Sequence, residues 1–374
     1  MKKILLSALV CCFSIVAFAQ EEYQFETTVD LEATPVISQG RTGTCWSFSA
    51  SSFLESEIIR LTGKPINISE MFTVRNTYPT KAWNYVMRQG KAQFSEGGLA
   101  HDVMNAVKSN GLVPNSAYSG LKALESNHNH AEMVAVLKAM LNVYIKNPGK
   151  KLSTNWKPAI EHVLDVYLGK RPESFQFEGK TYTPQSFLEM TKINPDDYVT
   201  ITSFTHQPYY ESFILNIPDN FSNGSFYNVT LDELVAVTKN ALQTGFTVEL
   251  DCDVSESTFS AKYAVASIPE EAVSSRSDFS AEIRKEKTIT AEYRQKEFEN
   301  YTTTDDHLMH ITGLAKDQNG NTYFRVKNSW GSNTSRVPND GHVHMSEAFF
   351  RLKTISVMVH KDALPKKLRE KLNL

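Results

Sequence analysis

Cysteine is scarce: four occur in 374 residues, and two of these, Cys11 and Cys12, fall within the first twenty positions. The other two, Cys45 and Cys252, are too few for a disulfide scaffold. Their separation in sequence leaves open a single bridge or two free thiols. Charge of one sign is also missing. With 39 Lys and Arg against 42 Asp and Glu, the formal net charge is -3. No basic footprint exists to concentrate polyanions, so nucleic acid is not expected as a partner. After residue 20 no apolar run is long enough to span a bilayer. No internal repeat or low-complexity tract occurs. His128-Asn129-His130 and His342-Val343-His344 lack a cysteine or carboxylate at structural-zinc spacing, so they read as solvated loop and edge-strand positions, and no metal or other cofactor is expected.

What is present begins with an address. Lys2 and Lys3 precede an apolar run from Ile4 to Phe18, then Ala17-Phe18-Ala19 and the polar Gln20-Glu21-Glu22. This is the pattern of a secretory signal peptide cleaved after Ala19, which places the mature protein in the periplasm or outside the cell. Val10 is a poor small residue before a lipidated cysteine, so anchoring through Cys11 is the lesser reading.

From Cys45 to Leu61, Phe48, Phe53, Leu54, Ile58 and Ile59 recur at helical spacing, and Thr62-Gly63-Lys64-Pro65 ends the run. Cys45 therefore falls in the first turn of a buried helix. Ser69 reads as the N-cap of a second helix, and Leu99 to Val107 as a third. Two amphipathic segments between Ala131 and Leu168 are split at residues 147–151, and Thr183-Pro184 caps a helix through Thr191. Beyond Pro195, short apolar or alternating runs predict strands at Tyr198–Ser203, Phe213–Ile217, Phe246–Leu250, Leu308–Leu314 and Tyr323–Val326. Ser255 to Thr304 is polar, with a helical stretch near Ala281 to Phe298, and reads as a solvated cover. Lys366 to Lys371 reads as a solvated terminal helix.

A helix N-terminus presents unpaired N–H groups and a positive dipole end, both of which favour a thiolate. Cys45 is placed to receive them. A neighbouring imidazole would complete a nucleophile–base pair, while the Cys45 N–H and the Gln39 carboxamide, six positions upstream, would supply oxyanion donors. His307 lies on a predicted strand, and Asn319-Gly320 marks a hairpin turn that carries the next strand back toward Asn328. Direct pairing of 307 with 328 would centre the hairpin near residues 317 and 318, so the loop must absorb an offset. His310 sits three positions from His307, hence on the opposite strand face, and reads as structural. Cys252 reads as a small apolar residue at a strand end.

The run Gln39-Gly40-Arg41-Thr42-Gly43-Thr44-Cys45-Trp46-Ser47-Phe48 resembles the nucleophile motif of papain-like cysteine peptidases. Asp306-His307-Leu308-Met309 and Lys327-Asn328-Ser329-Trp330-Gly331 are similar to the second half of that signature. About 260 residues separate Cys45 from His307, where a compact papain-type enzyme needs about 130 to 150. That excess, with Thr42 in place of a disulfide cysteine, resembles the bleomycin hydrolase/aminopeptidase C branch.

The resemblance implies an α+β, two-lobed papain-like fold: a helical N-terminal lobe at about 20–125, a helical insertion at 126–195, and an antiparallel, barrel-like lobe with a C-terminal tail at 196–374. It implies a secreted peptidase with Cys45 as nucleophile, His307 as base, Asn328 orienting that base and Gln39 as oxyanion donor. Trp46 and Trp330 would support the site, while Gly97 and Gly98 after Glu96 would form a strip that binds the backbone of peptide substrates. Such enzymes assemble as hexamers and carry a C-terminal arm into the cleft. Here a basic tail follows Leu364 instead, so neither strict aminopeptidase action nor the hexamer follows from the tail. An endopeptidase, or a secreted binding protein that keeps the fold without turnover, are the alternatives.

Overall fold

The computed structural model describes residues 22–374 apart from 123–124, 147–148, 150, 280–281 and 333, so the apolar leader lies outside the described residues. After strand β1 (Phe25–Asp30), three helices follow: α1 (Cys45–Thr62), α2 (Glu70–Met87) and α3 (Ala100–Asn110). Gly63, at φ 70°, closes α1 in the left-handed conformation and returns its N–H to Ile59 O. Ser69 caps α2 by accepting from Phe72 N–H at 2.9 Å. The next pair, α4 (Ala131–Lys146) and α5 (Trp156–Leu168), precedes a small hairpin, β2 (Phe175–Phe177) and β3 (Lys180–Tyr182), and the Thr183-capped α6 (Pro184–Thr191). Arg75 of α2, 1% exposed, fastens α5 by ion pairs of 2.7 Å to both Glu161 and Asp165.

The second half of the chain builds the sheet. In order come β4 (Tyr198–Thr202), β5 (Ser212–Ile214), β6 (Ser225–Asn228), helix α7 (Leu231–Gln243), β7 (Val248–Cys252), β8 (Phe259–Ser260), β9 (Val265–Ala266) and helix α8 (Ala291–Glu299). Then follow β10 (His307–Asp317), β11 (Thr322–Lys327), β12 (His342–Ser346), helix α9 (Glu347–Lys353), β13 (Thr354–His360) and the terminal α10 (Lys366–Lys371). Among the described residues the strand order is β5-β6-β4-β13-β7-β10-β11-β12-β9-β8. The path is open: the barrel-like lobe expected from sequence is a large, largely antiparallel sheet with parallel pairs at β4–β6 and β9–β12, not a closed barrel. Strand β10 is long enough to serve two neighbours on one edge, β7 along residues 307–311 and β1 along 313–317. Gly313 permits this handover, since a Cβ there would lie 2.1 Å from Val29 O.

Two apolar cores result. One gathers the helices around Phe53, Val74, Val103, Leu137, Leu164 and Phe187. The other packs α7 and α9 on the sheet around Leu234, Leu250, Phe324, Phe349 and Val357. Helix α1 is buried from Cys45 to Ile58, and its Ser47, Ser49, Ala50, Ser51 and Ser52 are small enough for close approach to β10. Ser49 Oγ donates to Met309 O at 2.6 Å.

Two further sequence readings change. The polar stretch 255–304 is no mere cover: it supplies β8 and β9 and buries Phe259, Val265, Ala266, Ile268, Phe279 and Ile289. Its helix begins only at Ala291, behind the Thr290 cap, because the preceding chain runs extended with bridges at Glu282 and Glu286. His342 and His344 lie on the interior strand β12 and are buried, with His344 stacked 3.9 Å from the Phe25 ring.

Candidate active site

Cys45 is the first residue of α1. The carbonyl of Thr44 accepts from Ser47 and Phe48 N–H at 2.9 and 3.3 Å, and Thr44 contributes no side-chain cap. The backbone N–H groups of Leu308, the residue after His307, and of Trp46 instead act on the thiol and favour its charged form. Burial pushes the Cys45 thiol up to about 12; the two N–H contacts oppose the rise, and the Asp305 and Asp219 carboxylates add to it. Cys45 and Cys252 are both free thiols, so no bridge joins them.

His307 opens β10 opposite Cys252 of β7. Its Nε2 lies 2.8 Å from Asn328 Oδ1, which also accepts from Ser329 N–H at 2.7 Å. The Trp330 indole stacks on the imidazole at 4.9 Å between ring centres, covering that bond. Burial lowers His307 to about 4, and the Asn328 contact works in the other direction. A lone thiolate and a lone imidazolium are thus each disfavoured by the dry site. A proton passed from a thiol to an adjacent imidazole creates both charges together, and opposite charges attract strongly in a low dielectric. The hairpin does not pair 307 with 328 directly. β10 and β11 align His310 with Lys327, and an irregularity between Ile311 and Gly313 absorbs the offset. His310 turns to α1, with Nδ1 at 2.9 Å from Ser52 Oγ.

Gln39, 8% exposed, is fixed in orientation. Its Nε2 donates to Thr42 O at 2.7 Å, its Oε1 accepts from Ser329 Oγ at 2.6 Å, and its backbone N–H reaches Ser329 O at 2.9 Å. One amide N–H remains uncommitted among the described residues. The strip at Glu96, Gly97 and Gly98 is fastened to the same loop: Gly43 N–H donates to Glu96 Oε2 at 2.6 Å and Trp46 Nε1 to Glu96 O at 2.9 Å. A Cβ on Gly98 would press on the Trp46 ring at 3.1 Å, and one on Gly97 would meet Asp219 Oδ2 at 1.9 Å. The Gly97 carbonyl accepts from Lys81, whose ammonium burial lowers to about 8.

Apart from Asp306, which stands in the His307 motif, sequence reasoning missed several polar residues here. Asp253 and Asp306 pin the chain ahead of His307, accepting from Thr304 N–H and Val254 N–H, both at 2.9 Å. Asp219, Asp251, Asp305 and Lys81 lie around the cleft, and Glu55, Glu70 and Lys327 lie beside Asn328. The Asp305-Asp306-His307 run was the one local signal; the others meet only in the fold.

A family model described as Peptidase C1-like matches residues 86–374. The chain belongs to the Peptidase C1-like family. The matched span contains His307 and Asn328 and starts after Cys45. Aminopeptidase C of Lactococcus lactis subsp. cremoris is 24% identical over 376 residues, covering 91% of this chain and 83% of the relative. Aminopeptidase G of Lactobacillus delbrueckii subsp. lactis is 22% identical over 386 residues, covering 92% and 85%. The crystal structure of PepW from a Lactobacillus rhamnosus strain superimposes with a TM-score of 0.73 at 19% identity, over 93% of this chain and 84% of that one. As a member of the family, the protein is a cysteine peptidase, a hydrolase with a papain-like α+β fold. No helix among the described residues is long and apolar enough to cross a membrane.

Proposed function

We propose that the protein is an exported cysteine peptidase of aminopeptidase type that works through Cys45, His307 and Asn328. The observation that carries this reading is the His307 Nε2 contact with Asn328 Oδ1 at 2.8 Å, one residue before the Leu308 N–H that acts on the Cys45 thiol. With Nε2 committed to Asn328, Nδ1 is the imidazole nitrogen left for the thiol proton. Cys45 Sγ then attacks the scissile carbonyl carbon, and the oxyanion meets the Cys45 N–H and the uncommitted Gln39 N–H. His307 gives its proton to the departing amine as the C–N bond breaks, leaving a thioester. Water, deprotonated by His307, attacks the thioester and releases the acid and the thiol.

The aminopeptidase assignment draws on relatives of that name aligned over nine-tenths of the chain. Export rests on the leader at residues 1–19. In this reading α4, α5 and α6 form a helical module added to the peptidase scaffold. The test is a peptide-library digest by the mature protein and its Cys45→Ala variant, together with labelling by an irreversible epoxide thiol-protease inhibitor. Turnover by the wild type alone, with label on Cys45, is expected. Equal turnover by Cys45→Ala, or neither turnover nor labelling in the wild type, overturns the assignment.

A further inference from the structure

The loop between β5 and β6 crosses from the sheet to the helices and is held rigidly there. Asn220 staples it, donating to Leu215 O at 2.9 Å and Gly224 O at 3.0 Å and accepting from Gly224 N–H at 2.7 Å. Ser222 Oγ donates to Asp102 Oδ1 of α3 at 2.6 Å, and the Phe221 ring lies 5.0 Å from the Lys81 ammonium. This fixes Asp219 against Gly97, with Gln93 Nε2 donating to its Oδ1 at 2.5 Å. Oδ2, which points over the glycine, accepts no hydrogen bond among the described residues. Lys81 acts on Asp219 from beyond ion-pair distance, its ammonium bonding to the Gly97 carbonyl and leaving Oδ2 without a cation in contact among the described residues.

Two further carboxyls converge on the same place from the sheet. Asp305 stands two residues before His307, and Asp251 of β7 is paired with Leu308. Both oxygens of Asp305 and Oδ1 of Asp251 are sealed from solvent without a donor from backbone, neutral side chain or cation among the described residues. They share a proton instead: Asp251, raised well above its usual range by burial and by Asp305, donates to Asp305. Asp219 and Asp305 both act electrostatically on the Cys45 thiol, which places this negative charge beside the nucleophile. Among the described residues no group of three such side chains is arranged to hold a metal ion. A buried carboxylate without a cation is costly, and a ligand that brings the cation removes that cost.

Taking the Cys45 reading for the site's occupant, we propose that Asp219, backed by Asp305 and Asp251, receives a cationic group of the substrate on the acyl side of the scissile bond. The side follows from the geometry. The leaving amine must lie against His307, which protonates it, so the acyl part runs the other way, along Gly98 and Gly97 on the helical wall. Asp219 Oδ2 stands at the far end of that strip. The cation is an ammonium or guanidinium, carried either by the free amino terminus of a short peptide or by a Lys or Arg side chain.

The experiment uses the full Cys45→Ala chain as a non-turning receptor. It is titrated calorimetrically with a neutral tripeptide amide having a free amino terminus, the same peptide N-acetylated, and the N-acetylated peptide with one residue changed to Lys. At least one cationic peptide is expected to bind roughly tenfold to a hundredfold more tightly than the acetylated neutral one, as for a hydrogen-bonded charge pair. A preference for the free terminus identifies the α-ammonium, and a preference for the Lys peptide identifies a side chain. Adding Asp219→Asn should remove the preference and Asp219→Glu should keep it. Should Asp219→Asn fail to fold, Asp305→Asn provides the same reading, with the preference reduced. Equal binding of all three peptides, or a preference that survives both substitutions, overturns the proposal. The two readings fail separately: turnover by the wild type without any cation preference removes only the receptor, and a preference in a chain whose Cys45 neither turns over substrate nor labels removes only the catalytic assignment.

Discussion

Two groups of acids lie near Cys45 and His307, one linked to a cation through a shared hydroxyl and one whose nearest cation, Lys81, bonds to a backbone carbonyl. Beside Asn328, Glu55 and Glu70 line a cavity of about 290 Å³ together with Lys327, His310, Ser52 and Thr34. Lys327 donates to Ser52 Oγ at 2.6 Å and Thr34 Oγ1 at 3.0 Å. Thr34 in turn donates to Glu55, which also accepts from Ile68 N–H at 2.9 Å. On the cleft side, Asp219, Asp251 and Asp305 are in no ion pair among the described residues, Lys81 acts on Asp219 from beyond ion-pair distance, and both oxygens of Asp305 and Oδ1 of Asp251 are sealed with no donor but the proton the two carboxyls share. A buried acid supplied with an internal cation locks two parts of a fold together. A buried acid left without one weakens the free protein and is useful only when something else brings the charge. The first group reads as structure and the second as recognition, and the two respond oppositely to mutation.

The largest effect falls on the first group. Lys327→Met removes the cation linked to Glu55 through Thr34, leaves that carboxylate buried without it, and should destabilise the protein by about 3–5 kcal/mol, as removing one charge of a buried network generally does. Denaturant unfolding with a constant slope measures it. A loss under about 1 kcal/mol would mean that the ammonium is not what holds this group together. Ser52→Ala is the smaller break: Ser52 receives the Lys327 proton and meets His310 Nδ1 at 2.9 Å, so a loss of about 1–3 kcal/mol is expected.

The pH dependence of stability sharpens the contrast. Burial raises Glu70 and Glu249 to about 8 each, so the folded protein holds protons that the unfolded chain releases near pH 4.5. Between those limits these two groups make stability fall as pH rises, while the buried histidines His130, His307, His342 and His344, lowered to about 4, oppose the fall up to about pH 6.5. The melting temperature should therefore drop from about pH 7 to pH 8, above the range where unfolded histidines titrate, and Glu70→Gln should make that drop shallower. An identical drop in the variant would show that Glu70 ionises in the fold near its usual value.

Some of this was legible in the chain. The Cys45 helix, the Ser69 cap and the β10–β11 hairpin followed from apolar spacing and turn chemistry, because those signals act over a few residues. The acidic groups did not, since Asp219 meets Gly97 and Lys81 only when the β5–β6 loop crosses the cleft. Polarity also misled. Arg294 lies in a stretch that reads as solvated, yet it is 1% exposed, with Nε and Nη1 donating to the carbonyls of Ser203 and Arg351 at 2.8 and 3.0 Å and Nη2 without a hydrogen-bond partner among the described residues. His342 and His344 were likewise read as surface positions, though β12 is flanked by β11 and β9. Composition reports the polar atom and not the partner that lets it be buried.

The smallest effect has the opposite sign and tests the comparison most directly. Asp305→Asn replaces a sealed carboxyl with an amide of nearly the same shape that carries donors. The amide can donate to Asp251, where two carboxyls must otherwise share one proton. Removing a negative charge that no internal cation offsets should leave stability unchanged or raise it by up to about 1 kcal/mol at pH 8. Near pH 5 Asp305, which burial raises to about 7, is already protonated in the fold, so the gain should shrink toward zero there. Unfolding of wild type and variant at the two pH values reads the difference. Destabilisation by several kcal/mol at both would mean that Asp305 is bound into the fold as firmly as Lys327, and the division between structural and receptive acids would collapse.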